Sequence, residues 1–215
     1  MIVLADNDVI LKLAQCDLFA EFLTAFAVSP DQVLVVKAAR FSMSRASTRR
    51  RIGDESMAKL EQILAVVHDI PLSPNPAFFA ALNEQFASGI DAGEAILFAT
   101  CPEINDSFVV TGDKRCLIGL NVAAATDPIC DEVRRALAGR VCCFEQVVLR
   151  ILNNSGFDNV LDKLLVGREC DKGLALWLGY GSEATEANFR AGLDSFLAEA
   201  RRTSGLLLAP DGIDR

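Results

Sequence analysis

Short apolar runs of strand length recur along the first 150 residues with amphipathic stretches between them, and this alternation limits the chain to a small set of folds. The runs are IVLA (2–5), QVLVV (32–36), SFVVT (107–111) and RVCCF (140–144). Between them, DVILKLAQ, LFAEFLTAFA and GDESMAKLEQILAVV read as helices, the last with apolar residues at 57, 60, 63, 64 and 67. AFFAALNEQFA, DAGEAILFATC and DEVRRALAG continue the series, the last closing on Gly139, while IPLSPNP (70–76) reads as a loop. Strands alternating with helices in this way predict an α/β protein: a mainly parallel central sheet covered on both faces, giving three layers, α/β/α.

Beyond about residue 150 the pattern is helical only. NVLDKLLV, GLALWLG and SEATEANFRAGLDSFLAEARR are the candidates, the last placing Phe189, Leu193, Phe196, Leu197 and Ala200 on one stripe. The division expected is a sheet domain over 1–150 and a helical C-terminal extension over 151–215, serving as a cap on the sheet or as an interface for a homo-oligomer. With 215 residues and 51 % of them hydrophobic, the chain can bury a core of ordinary size.

No run approaches the ~18 apolar residues of a membrane span, and the N-terminus lacks the plan of a secretion signal. A soluble, cytoplasmic protein with no membrane partner is expected. The 7 cysteines include no C-x-x-C and are odd in number, which reads as small core residues in a reducing compartment rather than a disulfide framework or zinc cage. His68, the 1 histidine, precedes the proline-rich loop and reads as structural. Zinc and histidine-base chemistry are thereby largely excluded, so any catalysis rests on acids, bases or a bound metal.

Acids occur where they are costly. Asp6 follows the first strand at once, and Asp113 follows SFVVT across one glycine, so both are expected at the carboxyl rim of the sheet, where open parallel sheets bind ligands. Glu94, in the first turn of DAGEAILFATC, can reach toward the same rim. Each has an ordinary role as well: Asp8 as the N-cap of the first helix, Asp91 and Glu94 as a capping box, Asp113 as the cap of a short helix. Three acids converging on one edge repel each other, and a hard divalent cation is the usual remedy. The net charge of −8 opposes a polyanionic partner, yet KAARFSMSRASTRRR (37–51) holds 6 basic residues and no acid. That stretch reads as a solvated face or loop, or as a phosphate-contacting patch.

Together these stretches resemble the motifs of PIN-domain nucleases. The strand followed by Asp6-Asn7-Asp8 and VILKL is similar to the family's opening motif, with Asp6 on its first metal-binding acid. DAGEAILFA resembles the central helix motif and puts Glu94 on its acidic position, and VVTGDKRCL resembles the strand-ending T-x-D motif and puts Asp113 on the third. The resemblance covers roughly residues 1–150 and implies a PIN-like fold and hydrolysis of phosphodiesters, most often single-stranded RNA, by a carboxylate-bound Mg or Mn ion. It makes Asp6 and Asp113 direct ligands and Glu94 a ligand or a base acting through water. The acid set is reduced, since KAARFSMSR holds no acid and Arg115, Cys116 and Leu117 follow Lys114; Asp8, Asp91 and Asp127 are candidates to complete it.

Under this reading Arg45, Arg49, Arg50, Arg51 and Lys114 are the nucleic-acid contacts. Many members of the family are toxins neutralised by a small antitoxin protein, so a partner of that kind is implied too. Two alternatives stand beside it. One is a PIN-like module that has lost catalysis and serves as a binding scaffold. The other is a haloacid-dehalogenase-type phosphatase with Asp6 as nucleophile and Asp8 as acid/base, from which Ile10, Leu117 and Ile118 depart.

Overall fold

Successive residues of a strand point to opposite sides of a sheet, and the first strand, β1 (Ile2–Ala5), shows what each side meets. Val3 and Ala5 enter one apolar cluster and Leu4 enters another. In the computed structural model, which describes residues 1–71, 73–85, 88–179 and 184–211, β1 is the central strand of five. The others are β2 (Val33–Val35), β3 (His68–Asp69), β4 (Ser107–Thr111) and β5 (Val141–Cys143). All pairings are parallel and the order is β3-β2-β1-β4-β5. Leu4 is in register with Leu34 on one side and Val109 on the other.

Helices cover both faces, numbered in chain order. Behind Val3, Ala5, Val33 and Val110 pack α1 (Asn7–Gln15), α2 (Phe19–Phe26), α3 (Lys37–Met43) and α4 (Ala46–Val66). Behind Leu4, Leu34, Val109 and Val141 pack α5 (Pro76–Asn83), α6 (Ala92–Thr100), α7 (Lys114–Ala124) and α8 (Pro128–Ala136). The first face continues into α9 (Phe144–Ser155), α10 (Phe157–Val166), α11 (Lys172–Leu178) and α12 (Glu186–Ser204). The α/β class and the parallel sheet with helices on both faces are thus as the alternation predicts.

The stripe on α12 is covered within the chain. Phe189, Leu193 and Leu197 are buried, and Trp177 of α11 stands edge-on to Phe189 at 5.7 Å between ring centroids. At ~1.5–3 kcal/mol for each fully buried large apolar side chain, this packing holds α12 firmly against its neighbours. After α12 the chain runs beside the edge strand: Val141 N–H donates to Leu207 C=O and Ala209 N–H to Val141 C=O, at 3.1 and 2.7 Å. The exposed edge of β5 is therefore partly paired. Among the described residues no helix is long and apolar enough to cross a membrane.

Local details depart from the sequence reading. Asp8 is not the cap of α1; Asp6 is, its Oδ1 accepting the Asn7 N–H at 2.7 Å, and Asp8 lies in the first turn. The basic stretch is helical rather than a loop, and its Lys37, Arg45, Arg49, Arg50 and Arg51 are exposed. It forms α3 and the start of α4, which Gly53 kinks by taking φ +79, a conformation open to glycine. Strand β3 is only two residues long, too short to show an apolar period. Three of the stretches read as loop or helix run partly outside the described residues: Leu72 in IPLSPNP, positions 86 and 87 in AFFAALNEQFA, and 182 and 183 before α12.

Candidate active site

Strand order reverses at β1: β2 and β3 lie to one side and β4 and β5 to the other. The carboxyl ends of β1 and β4 flank that switch point, where a crevice opens in sheets of this kind. The Asp6 N–H donates to Val110 C=O at 2.9 Å, so the chain leaves β1 still tied to β4, and Asp6 turns directly into α1. Beyond Thr111 the chain passes through Gly112 to Asp113, whose N–H donates to Thr111 Oγ1 at 3.1 Å. Asp113 caps α7, its Oδ1 accepting the Arg115 N–H at 2.8 Å.

Asp91 and Glu94 form the capping box of α6. Asp91 N–H donates to Glu94 Oε2 at 2.8 Å, and Glu94 N–H donates to Asp91 Oδ1 at 2.9 Å. The box positions Glu94 as well as closing the helix: the carboxylate is turned back toward the start of α6, and with it toward the sheet rim. As a result Asp6, Asp8, Asp91, Glu94 and Asp113, from three separate segments, line one cleft of about 490 Å³. Asp127 does not; it caps α8, accepting the Ile129 N–H at 2.8 Å.

Crowding marks the electrostatics. Burial, reinforced by the charges of Asp8 and Asp91, pushes the Asp6 carboxyl up to about 6 against the backbone bond from Asn7. Burial and the neighbouring Asp91 push Glu94 up to about 7, although the Asp91 N–H favours its charged form. Asp113 is held below its usual value, first by the Arg115 guanidinium, which touches both its oxygens. Asp8 is ion-paired with Lys12 at 2.7 Å. Among the described residues Asp6, Asp91 and Glu94 have no ion pair.

Carboxylate oxygens are the donors hard divalent ions take, so the set suits Mg or Mn in kind. Asp6 and Glu94 each use one oxygen on a local backbone N–H, which leaves Oδ2 and Oε1. As the side chains stand, no three acids among the described residues are close enough together to hold an ion. Binding one would need the exposed Arg115 to leave Asp113 and the acids to draw closer together.

The basic residues divide. Arg51 lines the acidic cleft and also an adjoining pocket of about 320 Å³, which it shares with Arg45, Ser42, Ser47 and Thr48; Asn7 and Leu11 also line both. Arg49 is engaged by Asp54 at 2.8 Å and Glu61 at 2.9 Å, and Arg50 lines neither space. Lys114 is not at the cleft: its Nζ is 2.6 Å from Glu145 and 5.1 Å from the ring centre of Phe196. Residues that the motifs did not single out are Lys12, Gly112 and Arg115. Lys12 had one signal, its i,i+4 spacing from Asp8.

No family model matches this chain, and no curated protein or solved structure matches it either.

Proposed function

We propose that the chain is a PIN-like, divalent-metal-dependent nuclease that cleaves single-stranded RNA. One observation carries the reading: acids that resemble the three motif positions, Asp6, Glu94 and Asp113, come from distant parts of the sequence and line a single cleft at the switch point of the sheet. Supporting it, the pocket with Arg45 and Arg51 adjoins that cleft, so guanidinium groups suited to phosphate lie beside carboxylates suited to a cation. The phosphatase alternative gives no role to Glu94 or to this basic pocket.

In the proposed reaction Asp6, Glu94 and Asp113 hold a Mg or Mn ion, which when bound supplies an activated water and offsets charge on the phosphate. Arg51 and Arg45 orient the backbone of the substrate through its phosphates. Glu94 serves as a ligand of the ion or as a base acting through a water, its carboxylate aimed by the capping box of α6. Arg115, exposed and paired only with Asp113 among the described residues, is free to move onto a phosphate oxygen once that carboxylate turns to a metal.

The test is cleavage of labelled single-stranded RNA with Mn²⁺ or Mg²⁺. Cleavage is expected, with losses on the order of 100-fold or more in Asp6→Asn and Asp113→Asn. A folded protein that cuts neither RNA nor DNA with either ion would overturn the reading in favour of the scaffold.

A further inference from the structure

We infer that the buried ammonium of Lys12 is a built-in cation of the acidic cleft, standing where a second metal ion would otherwise bind, so that the cleft loads a single divalent ion. This rests on the reading of the cleft as a metal site and deepens it.

Lys12 lies on α1 one turn beyond Asp8. Its Nζ is 2.7 Å from Oδ2 of Asp8 and 2.8 Å from Oδ2 of Asp171, the residue that caps α11. The ring of Phe144 covers it, with 4.7 Å from Nζ to the centroid. The side chain is 11 % exposed, against 83 % for Arg115, so the Lys12 charge cannot swing into solvent as the Arg115 charge can. An ideal Cβ on Gly112 would fall 2.2 Å from Oδ2 of Asp8 and 3.2 Å from Nζ of Lys12. The loop leading to Asp113 therefore closes directly onto this ion pair.

Paired metal ions ~3.5–4 Å apart need carboxylates that bridge or cap both. Asp8, the acid that lies against Gly112, is already committed to an ammonium. That ammonium is held from the other side by Asp171, and a fixed positive charge in a confined site repels a further cation. What remains without a cationic partner among the described residues is Asp6, Asp91 and Glu94, with Asp113 behind the displaceable Arg115: a donor set for one ion. Asp171 thereby becomes a positioning residue, and the C-terminal helices, through α11, become part of what fixes the cation count.

The experiment counts Mn²⁺ bound to the full chain at saturation, by electron paramagnetic resonance of free Mn²⁺ against protein concentration, in wild type, Lys12→Met and Lys12→Gln. One ion per wild-type chain and two in either folded variant is the expected result, and Lys12→Arg should keep one. Two ions in the wild type would overturn the inference while leaving the nuclease reading intact, and needs no variant to fold. One ion in wild type and folded variants alike would overturn it too. No ion bound to the wild type would overturn both.

Discussion

Gly112 and Asp8 approach so closely that no side chain fits between them: a Cβ at 112 would lie 2.2 Å from the Asp8 carboxylate. A methyl at 112 must therefore push the half-exposed Asp8 carboxylate off Lys12 or lift the loop. Gly112→Ala is expected to lower stability by up to about 1 kcal/mol, by separating Asp8 from Lys12, and to weaken Mn²⁺ binding at the same time. Urea unfolding with and without Mn²⁺ checks both, and an unchanged midpoint would show that the loop is not closed on Asp8.

Asp6 and Glu94 predict an unusual pH dependence. Their folded values, about 6 and about 7, lie above the unfolded values of 3.8 and 4.5. The folded state therefore binds more protons between about pH 4 and pH 7, and stability falls as pH rises through that window. Asp113 has the opposite sign; its contribution is present above its ordinary value and is lost as pH falls through its lower folded value, beneath the window. Without divalent ions the melting temperature is expected to be a few degrees higher near pH 5 than near pH 7.5, corresponding to roughly 1–3 kcal/mol. Asp6→Asn should raise the melting temperature at pH 7.5 and flatten the profile, and Mn²⁺ should protect more at the higher pH.

Arg115 competes with a metal for Asp113. Arg115→Ala should tighten apparent Mn²⁺ affinity several-fold by releasing that carboxylate, while weakening RNA binding if the guanidinium moves onto phosphate. Calorimetric titration with Mn²⁺ alone and a filter-binding assay in Ca²⁺ separate the two effects. Weaker Mn²⁺ binding in the variant would mean that Arg115 orients Asp113 for the ion rather than masking it.

The arginines should not contribute equally to RNA binding. Arg45 and Arg51 line the pocket beside the acids, whereas Arg49 is held by Asp54 and Glu61. Arg51→Ala should weaken binding and reduce the slope of log K against log salt by roughly 0.7, the amount set by neutralising one phosphate of a single strand. Arg49→Ala should do less on both counts. Equal effects would indicate diffuse attraction to the whole stretch.

The architecture was legible because burial on both sides forces apolar strand runs and helical periods to alternate. IVLA and SFVVT could hardly be other than inner strands. His68–Asp69 was not legible: a two-residue edge strand is defined by its partner β2 and not by its own composition. The placement of Asp6 and Asp113 at one rim followed from the rule that parallel strands present their carboxyl ends together, and that of Glu94 from its place in the first turn of α6. The second partner of Lys12 did not follow, because Asp171 reaches it across 159 residues of sequence through tertiary packing that no local pattern announces. Lys114 illustrates the converse. It follows Asp113 directly, yet as the first residue of α7 it projects to Glu145 and Phe196 instead of the cleft.

The most direct measurement is an anomalous-scattering map from crystals of the protein soaked in Mn²⁺. The expected result is a peak in the cleft at the carboxyl ends of the first and fourth strands, touching oxygens of Asp6 and Asp113 and within reach of Glu94, with Arg115 displaced. A cleft that stays without a peak at saturating Mn²⁺, with Arg115 still seated on Asp113, would contradict it.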